Sequence, residues 1–107
     1  MKLDVKVEDD GAGVVQVTVE GVVNIHTSPE LRGILKPLFV ESSKEIHVSL
    51  ADVLFMDSSG IATLVEGLQW AKQSGGRFVL HDLKDTVRDV FALAKLDTIF
   101  EIVGSDA

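Results

Sequence analysis

The 107-residue sequence contains no cysteine. That absence excludes a disulfide framework, a thiolate metal site and a cysteine nucleophile, and it fits a reducing compartment. Basic residues are few as well: 10 Lys plus Arg against 17 Asp plus Glu leave a net charge of −7. A pI near 4.7 repels phosphate backbones and anionic lipid alike, so neither direct nucleic-acid binding nor a membrane-surface role is expected. No apolar run approaches the roughly 20 residues that cross a bilayer, and Met1-Lys2-Leu3-Asp4 has charges where a signal peptide would need an apolar stretch. A cytoplasmic protein without membrane insertion is expected. Repeats, low-complexity tracts and linker-like segments are also missing.

What is present is ordinary globular composition, 46% hydrophobic and 25% charged, too apolar for intrinsic disorder. One domain over residues 1–107 is the expected organisation, burying roughly 65% of its unfolded surface. Leu3, Val5 and Val7 alternate with polar residues, Asp9-Asp10-Gly11-Ala12-Gly13 breaks the pattern, and Val15, Val17 and Val19 resume it, which signals a hairpin. Asp4, Glu8, Asp9 and Asp10 read as a solvated face that keeps the hairpin edge from pairing. A helix start follows at Thr27-Ser28-Pro29-Glu30, either a Thr27–Glu30 capping box or Ser28 as cap with Pro29 in the first helical position. Leu31, Ile34, Leu35, Leu38 and Phe39 then form one apolar stripe. Pro37 has no N–H to bond back to Gly33, so a kink or an early loss of regularity is expected there.

Ile46, Val48 and Leu50 predict a short strand, continued by residues 51–56 as an extended or looped apolar lead. From Ile61 the period turns helical, with Ile61, Leu64, Val65 and Leu68 on the core face and Gly75-Gly76 as terminator. Phe78-Val79-Leu80 resembles a central strand, and Val87, Val90, Phe91 and Ala94 share one face of a last helix. Thr98–Ile102 could add an edge strand. The predicted fold class is α/β: a mixed β-sheet opened by an N-terminal hairpin, with three or so helices packed on it.

The strand-to-helix switch falls on Asp57-Ser58-Ser59-Gly60. In α/β sheets reactive groups gather at the carboxyl ends of strands, and a helix start adds free N–H groups and positive dipole character. A phosphate on Ser58 or Ser59 would meet those donors, Asp57 could cap the helix and orient a serine hydroxyl, and Gly60 permits close backbone approach. The same four residues also make an ordinary N-cap, so spacing alone leaves both readings open.

Phe55-Met56-Asp57-Ser58-Ser59-Gly60-Ile61, with a strand before it and an apolar helix ending in Gly75-Gly76 after it, resembles the signature of STAS domains, specifically bacterial anti-sigma factor antagonists. The similarity in element order runs from the first hairpin to the helix containing Val87 to Ala94. The resemblance implies a partner-switching protein and not an enzyme. Its Ser58 would be phosphorylated by an anti-sigma factor with Ser/Thr kinase activity and restored by a phosphatase, with Asp57, Ser59 and Gly60 around it and no cofactor. Many antagonists carry Gly-Glu-Leu-Asp before the first helix, whereas Gly21-Val22-Val23-Asn24 stands here. Asn24 keeps hydrogen-bonding shape and loses charge, so it bears on partner choice.

Two alternatives follow from the same residues. A STAS regulatory subunit docking on an ABC-type lipid or anion transporter would use the same helix without phosphate turnover. A receiver-like domain phosphorylated on Asp57 would need a helix after its acidic pair, and a valine strand follows Asp9-Asp10 instead. A nucleophile elbow needs Gly two residues before the serine, where Met56 stands. His26, His47 and His81 are scattered without metal spacing, so no metal site is expected. At 100° per residue from Ile61, Trp70 falls at about 180° with Thr63 beside it and Glu66 close by, a face pointing away from the core stripe. Trp70 either packs on a neighbouring helix or anchors a partner, with Thr63 and Glu66 around it.

Overall fold

A computed structural model describes residues 3–40 and 45–105. The chain runs β1 (Asp4–Asp9), β2 (Val14–Val23), α1 (Ser28–Val40), β3 (Glu45–Met56), α2 (Ser58–Ser74), β4 (Arg77–Leu83), α3 (Asp85–Leu93) and β5 (Glu101–Ser105). The strands form one sheet in chain order, with β1 antiparallel to β2 and every later pairing parallel. This is the mixed α/β sheet opened by a hairpin, and the tail does add a strand, placed at Glu101–Ser105. The hairpin turn is built by its aspartates: Asp9 accepts from the Gly11 N–H at 2.8 Å, and Asp10 accepts from Ala12 at 2.7 Å and Val14 at 3.1 Å.

Ring contacts show where the helices lie. Phe39 of α1 meets Phe78 of β4 at 5.7 Å between centroids, Phe78 meets Phe100 at 6.5 Å, and Phe100 meets Phe91 of α3 at 5.4 Å. One face of the sheet, carrying Ile46, Val48, Leu50, Phe78 and Leu80, is thus the core face under the helices. On β3, Glu45, His47 and Ser49 alternate with these residues and stand on the opposite face, only partly buried. Parallel sheets are usually covered on both sides; here the second face is polar, which is why β3 begins with strict alternation.

That alternation fails after Leu50, where the next buried residues are Val53 and Met56. The pairing of β2 with β3 shifts register twice, between Thr18 and Glu20 and between Gly21 and Val22, and each shift leaves one extra residue on β3. Each bulge advances the side-chain phase by one residue. Residues 51–56 are therefore strand interrupted by bulges, not a loop, with Leu54 and Phe55 62% and 50% exposed.

Helix α1 departs from expectation at both ends. It runs three residues past Pro37, whose exposed position lets the helix continue to Val40 without an early loss of regularity. Neither predicted cap forms in the expected way. The buried Thr27 hydroxyl turns back to the Val22 carbonyl at 2.8 Å, and the Thr27 carbonyl accepts from Glu30 and Leu31 at 3.1 and 3.3 Å. Helix α2 ends as predicted, with Gly75 left-handed at φ 74° and the Gly76 N–H on the Ala71 carbonyl at 2.8 Å. In α3, Val87 and Phe91 are buried, whereas Ala94 lies just past the helix as its exposed C-cap.

Two glycines make opposite predictions. A Cβ on Gly67 would lie 2.9 Å from the Phe78 ring, whereas one on Gly33 meets nothing within 4 Å. Alanine at either site gains about 1 kcal/mol of helix propensity, and at position 67 overpacking of about 1–3 kcal/mol cancels or exceeds it. Urea unfolding should therefore show Gly33→Ala more stable than wild type by roughly 0.5–1 kcal/mol, and Gly67→Ala unchanged or less stable.

Candidate functional site

Asp57 lies between β3 and α2 with extended backbone and is the N-cap of α2. Its Oδ1 accepts from the N–H of Ser59 at 2.9 Å, the N–H of Gly60 at 3.3 Å and the hydroxyl of Ser59 at 2.5 Å. The Ser59 hydroxyl above all, helped by the backbone N–H groups of Gly60, Ser59 and Ile25, holds this carboxyl below its ordinary pKa against the opposing effect of burial. The expected cap and serine-orienting role are both present, and the oriented serine is Ser59. Ser58 is exposed at the first position of α2, and among the described residues no side-chain partner is found for it.

A second segment closes on this junction. The Asp57 N–H donates to the Val23 carbonyl at 3.1 Å. Just beyond, Asn24 organises a turn: its Oδ1 accepts from the N–H of His26 at 2.9 Å and of Thr27 at 3.2 Å, and its carbonyl accepts from Ser28 at 2.7 Å. The Thr27 hydroxyl, besides holding Val22, accepts from the Asn24 N–H at 2.9 Å. Asn24 and Asp57-Ser58-Ser59-Gly60 are thus neighbours. Gly60 is where the two segments press together: a Cβ there would sit 2.5 Å from Met56 Cγ and 2.8 Å from Val23 Cγ1.

Thr63, Glu66 and Trp70 do share one face of α2, but that face does not point outward. Helix α1 lies across it. Thr63 is 4% exposed, its hydroxyl donating to the Ser59 carbonyl at 3.1 Å. Glu66 accepts twice from the Arg32 guanidinium of α1, at 2.8 and 3.1 Å. Trp70 packs on Phe39 at 6.0 Å with the Arg32 guanidinium 5.5 Å above its ring, so of its two expected settings the helix-packed one is found. The angular placement was sound; a helical wheel does not show that a second helix covers the far face.

Several groups escaped the sequence reasoning. Thr27 fits a capping box as one of two possible caps and instead holds the turn before α1, and the exposed apolar side chains of Ile25, Leu54 and Phe55 around the junction carry no periodic signal. The histidines are not all scattered either: parallel pairing brings His47 Nδ1 to 2.7 Å from His81 Nε2.

Two measurements follow. Asp57→Ala removes the cap and should cost about 1 kcal/mol, within the 0.5–2 kcal/mol of such changes, in chemical denaturation at neutral pH. Because the folded carboxyl titrates below its unfolded value, its stabilisation is complete above the unfolded pKa and is lost as pH falls through the folded one. The gap between wild type and Asp57→Ala should accordingly shrink on acidification below about pH 4. Trp70→Ala should lower stability by less than the roughly 3–5 kcal/mol of a fully buried tryptophan, again in denaturant melts.

Comparison with known proteins places this geometry. A family model described as "Mlab, STAS domain" matches residues 7–104. The anti-sigma-B factor antagonist of Bacillus subtilis is 29% identical over 102 residues, covering 95% of this chain and 90% of the relative. The crystal structure of an anti-sigma factor antagonist from Mycobacterium paratuberculosis superposes with a TM-score of 0.84 at 25% identity, covering 94% of this chain and 85% of that one. SpoIIAA in its unphosphorylated form gives a TM-score of 0.83 at 20% identity, covering 94% and 87%. Its phosphorylated Bacillus form gives 0.76 at 20% identity, covering 94% and 90%. With the family model spanning nearly the whole chain and the same fold recurring in these neighbours, the chain belongs to the STAS domain family.

Proposed function

We propose that this chain is an anti-sigma factor antagonist: a cytoplasmic binding switch, one STAS unit over residues 1–107, that is acted on by enzymes and is not one itself. In this reading Ser58 is phosphorylated by an anti-sigma factor with Ser/Thr kinase activity, which the unphosphorylated chain binds, and a phosphatase restores the hydroxyl. The observation that carries the proposal is the unequal treatment of two adjacent serines. Ser59 is committed to Asp57, while Ser58 presents its hydroxyl to solvent at the start of α2. The relatives named anti-sigma-B factor antagonists support the antagonist role.

Phosphorylation adds about −1.5 to −2 charges. A helix start would normally favour this by about 0.3–1 kcal/mol, but here the Asp57 carboxylate already holds the N–H groups of Ser59 and Gly60. Two like unit charges about 4 Å apart repel by about 1 kcal/mol even at the dielectric of water, and a phosphate beside that carboxylate is repelled by a comparable amount. Repulsion therefore at least cancels the dipole, and the phosphate is turned toward the partner. Either effect is small beside a folding stability of about 5–15 kcal/mol, so binding changes and the fold does not. The docking face would centre on Asn24, Ser58 and the exposed Ile25, Leu54 and Phe55, with Asp57, Ser59 and Gly60 positioning Ser58. Thr63, Glu66 and Trp70 would act through the α1 contact behind it.

Incubation with ATP and each candidate kinase, followed by mass spectrometry, should give one base-stable phosphate on Ser58 and none on Ser58→Ala. Ser58→Asp should bind the kinase about tenfold or more weakly, equivalent to about 1.4 kcal/mol. Undiminished binding by Ser58→Asp would refute the switch. No phosphate from any candidate would favour the transporter-docking alternative, and a base-labile phosphate would move the site to Asp57.

A further inference from the structure

On the open face of the sheet, at the end of β3 remote from Ser58, the parallel register pairs Glu45 with Arg77, His47 with Val79 and Ser49 with His81. His47 accordingly leans toward His81, with Nδ1 and Nε2 2.7 Å apart and ring centroids at 5.0 Å. Its other nitrogen, Nε2, is 2.7 Å from Glu45 Oε1. Arg77 shares that carboxylate at 3.1 Å and also pairs with Glu101 on β5. Glu101 is close enough to feel both histidines electrostatically. We propose that His47 and His81 form a cross-strand binding site for a divalent transition cation of the Zn(II) class.

The hydrogen bonds fix the chemistry. Glu45 accepts only, so in the neutral imidazole His47 Nε2 carries the proton and Nδ1 presents its lone pair toward His81. A carboxylate behind a histidine ligand is the usual orienting arrangement at such metals. His81 fills that space with an Nε2–H donor when no metal is bound; moving its proton to Nδ1 makes Nε2 a second lone-pair donor at no net proton cost. Two Zn–N bonds of about 2.0–2.1 Å at the tetrahedral angle separate the nitrogens by about 3.3 Å. From 2.7 Å the two nitrogens need separate by only roughly 0.6 Å, with each ring tilting so that both lone pairs converge on the metal. Glu45 and Glu101 against Arg77 leave one negative charge beside the pair, which favours a cation. Among the described residues no three His, Cys, Asp or Glu side chains converge on one point, so water completes the coordination and the site is open.

Isothermal titration of tag-free full-length protein with ZnCl2 tests this, with circular dichroism checking the fold of each variant. Wild type and His26→Gln, which removes the exposed histidine outside the pair, should show one saturable site and an unfolding temperature raised by zinc. His47→Gln and His81→Gln should each lose both effects; the second leaves the Glu45–His47 contact intact and so guards against a fold defect. Glu45→Gln should bind about 10–100-fold more weakly, as loss of an orienting carboxylate does. Absence of saturable binding in wild type would overturn the proposal, as would wild-type binding by either His47→Gln or His81→Gln. The outcome is independent of whether Ser58 is phosphorylated.

Discussion

Asp57 ties three pieces of chain to one point. It follows β3, caps α2 through the N–H groups of Ser59 and Gly60, and donates its own N–H to the Val23 carbonyl at 3.1 Å, just before the turn that precedes α1. The first backbone bond of α2, from Ile61 to the Asp57 carbonyl at 3.1 Å, is made by the same residue. A capping aspartate is ordinary; one that also holds the turn before another helix fixes the distance between two loops belonging to different crossovers. The setting of Ser58 follows from this. It is exposed because its neighbour Ser59 satisfies the aspartate, and it is held still because the residues on both sides are bonded.

The sheet is a platform with one apolar and one polar side, and each side has its own logic. Under the helices the strands contribute Val, Ile, Leu and Phe side chains that are almost fully removed from water. On the opposite side Glu45, His47, Arg77, His81 and Glu101 bond to one another across three strands. Val79 is fully buried on that side yet lies outside the main core cluster, shielded on the polar face. Cross-strand pairs of this kind contribute tenths of a kcal/mol each, so the polar face sets register more than it sets stability.

Much of this was legible in the sequence where periodicity was clean. The hairpin, the stripes of α1 and α2, the Gly75 terminator and the Asp57 cap each rest on contacts within a few residues, which local pattern reports directly. What was not legible depends on a second element. Thr63 and Trp70 lie on the face opposite the core stripe, and only the placement of α1 turns that face inward. His47 and His81 are separated by 34 positions and meet only through the register of β3 on β4. Thr27 looked like a cap because its neighbours fit a capping box, yet its hydroxyl found a stronger use holding the turn before the helix.

The two bulges in β3 connect the sheet to the site. An unbroken strand that buried Ile46, Val48 and Leu50 would go on to bury residues 52, 54 and 56. The first extra residue moves burial onto Val53 and the second restores the original phase at Met56, so residues 52 and 54 are turned out of the core. Leu54 and Phe55 are thereby left facing water immediately before Asp57. Met56 inward is what Gly60 requires, since its side chain and that of Val23 fill the space where a Cβ would stand. The same irregularity that hides the strand from pattern reading turns Leu54 outward while Met56 stays inward, so the close approach of α2 to β2 is kept and apolar side chains are exposed just before Asp57. Bulges concentrate where a strand must re-aim its side chains for function, and in this sheet both fall on the half of β3 that leads to Ser58.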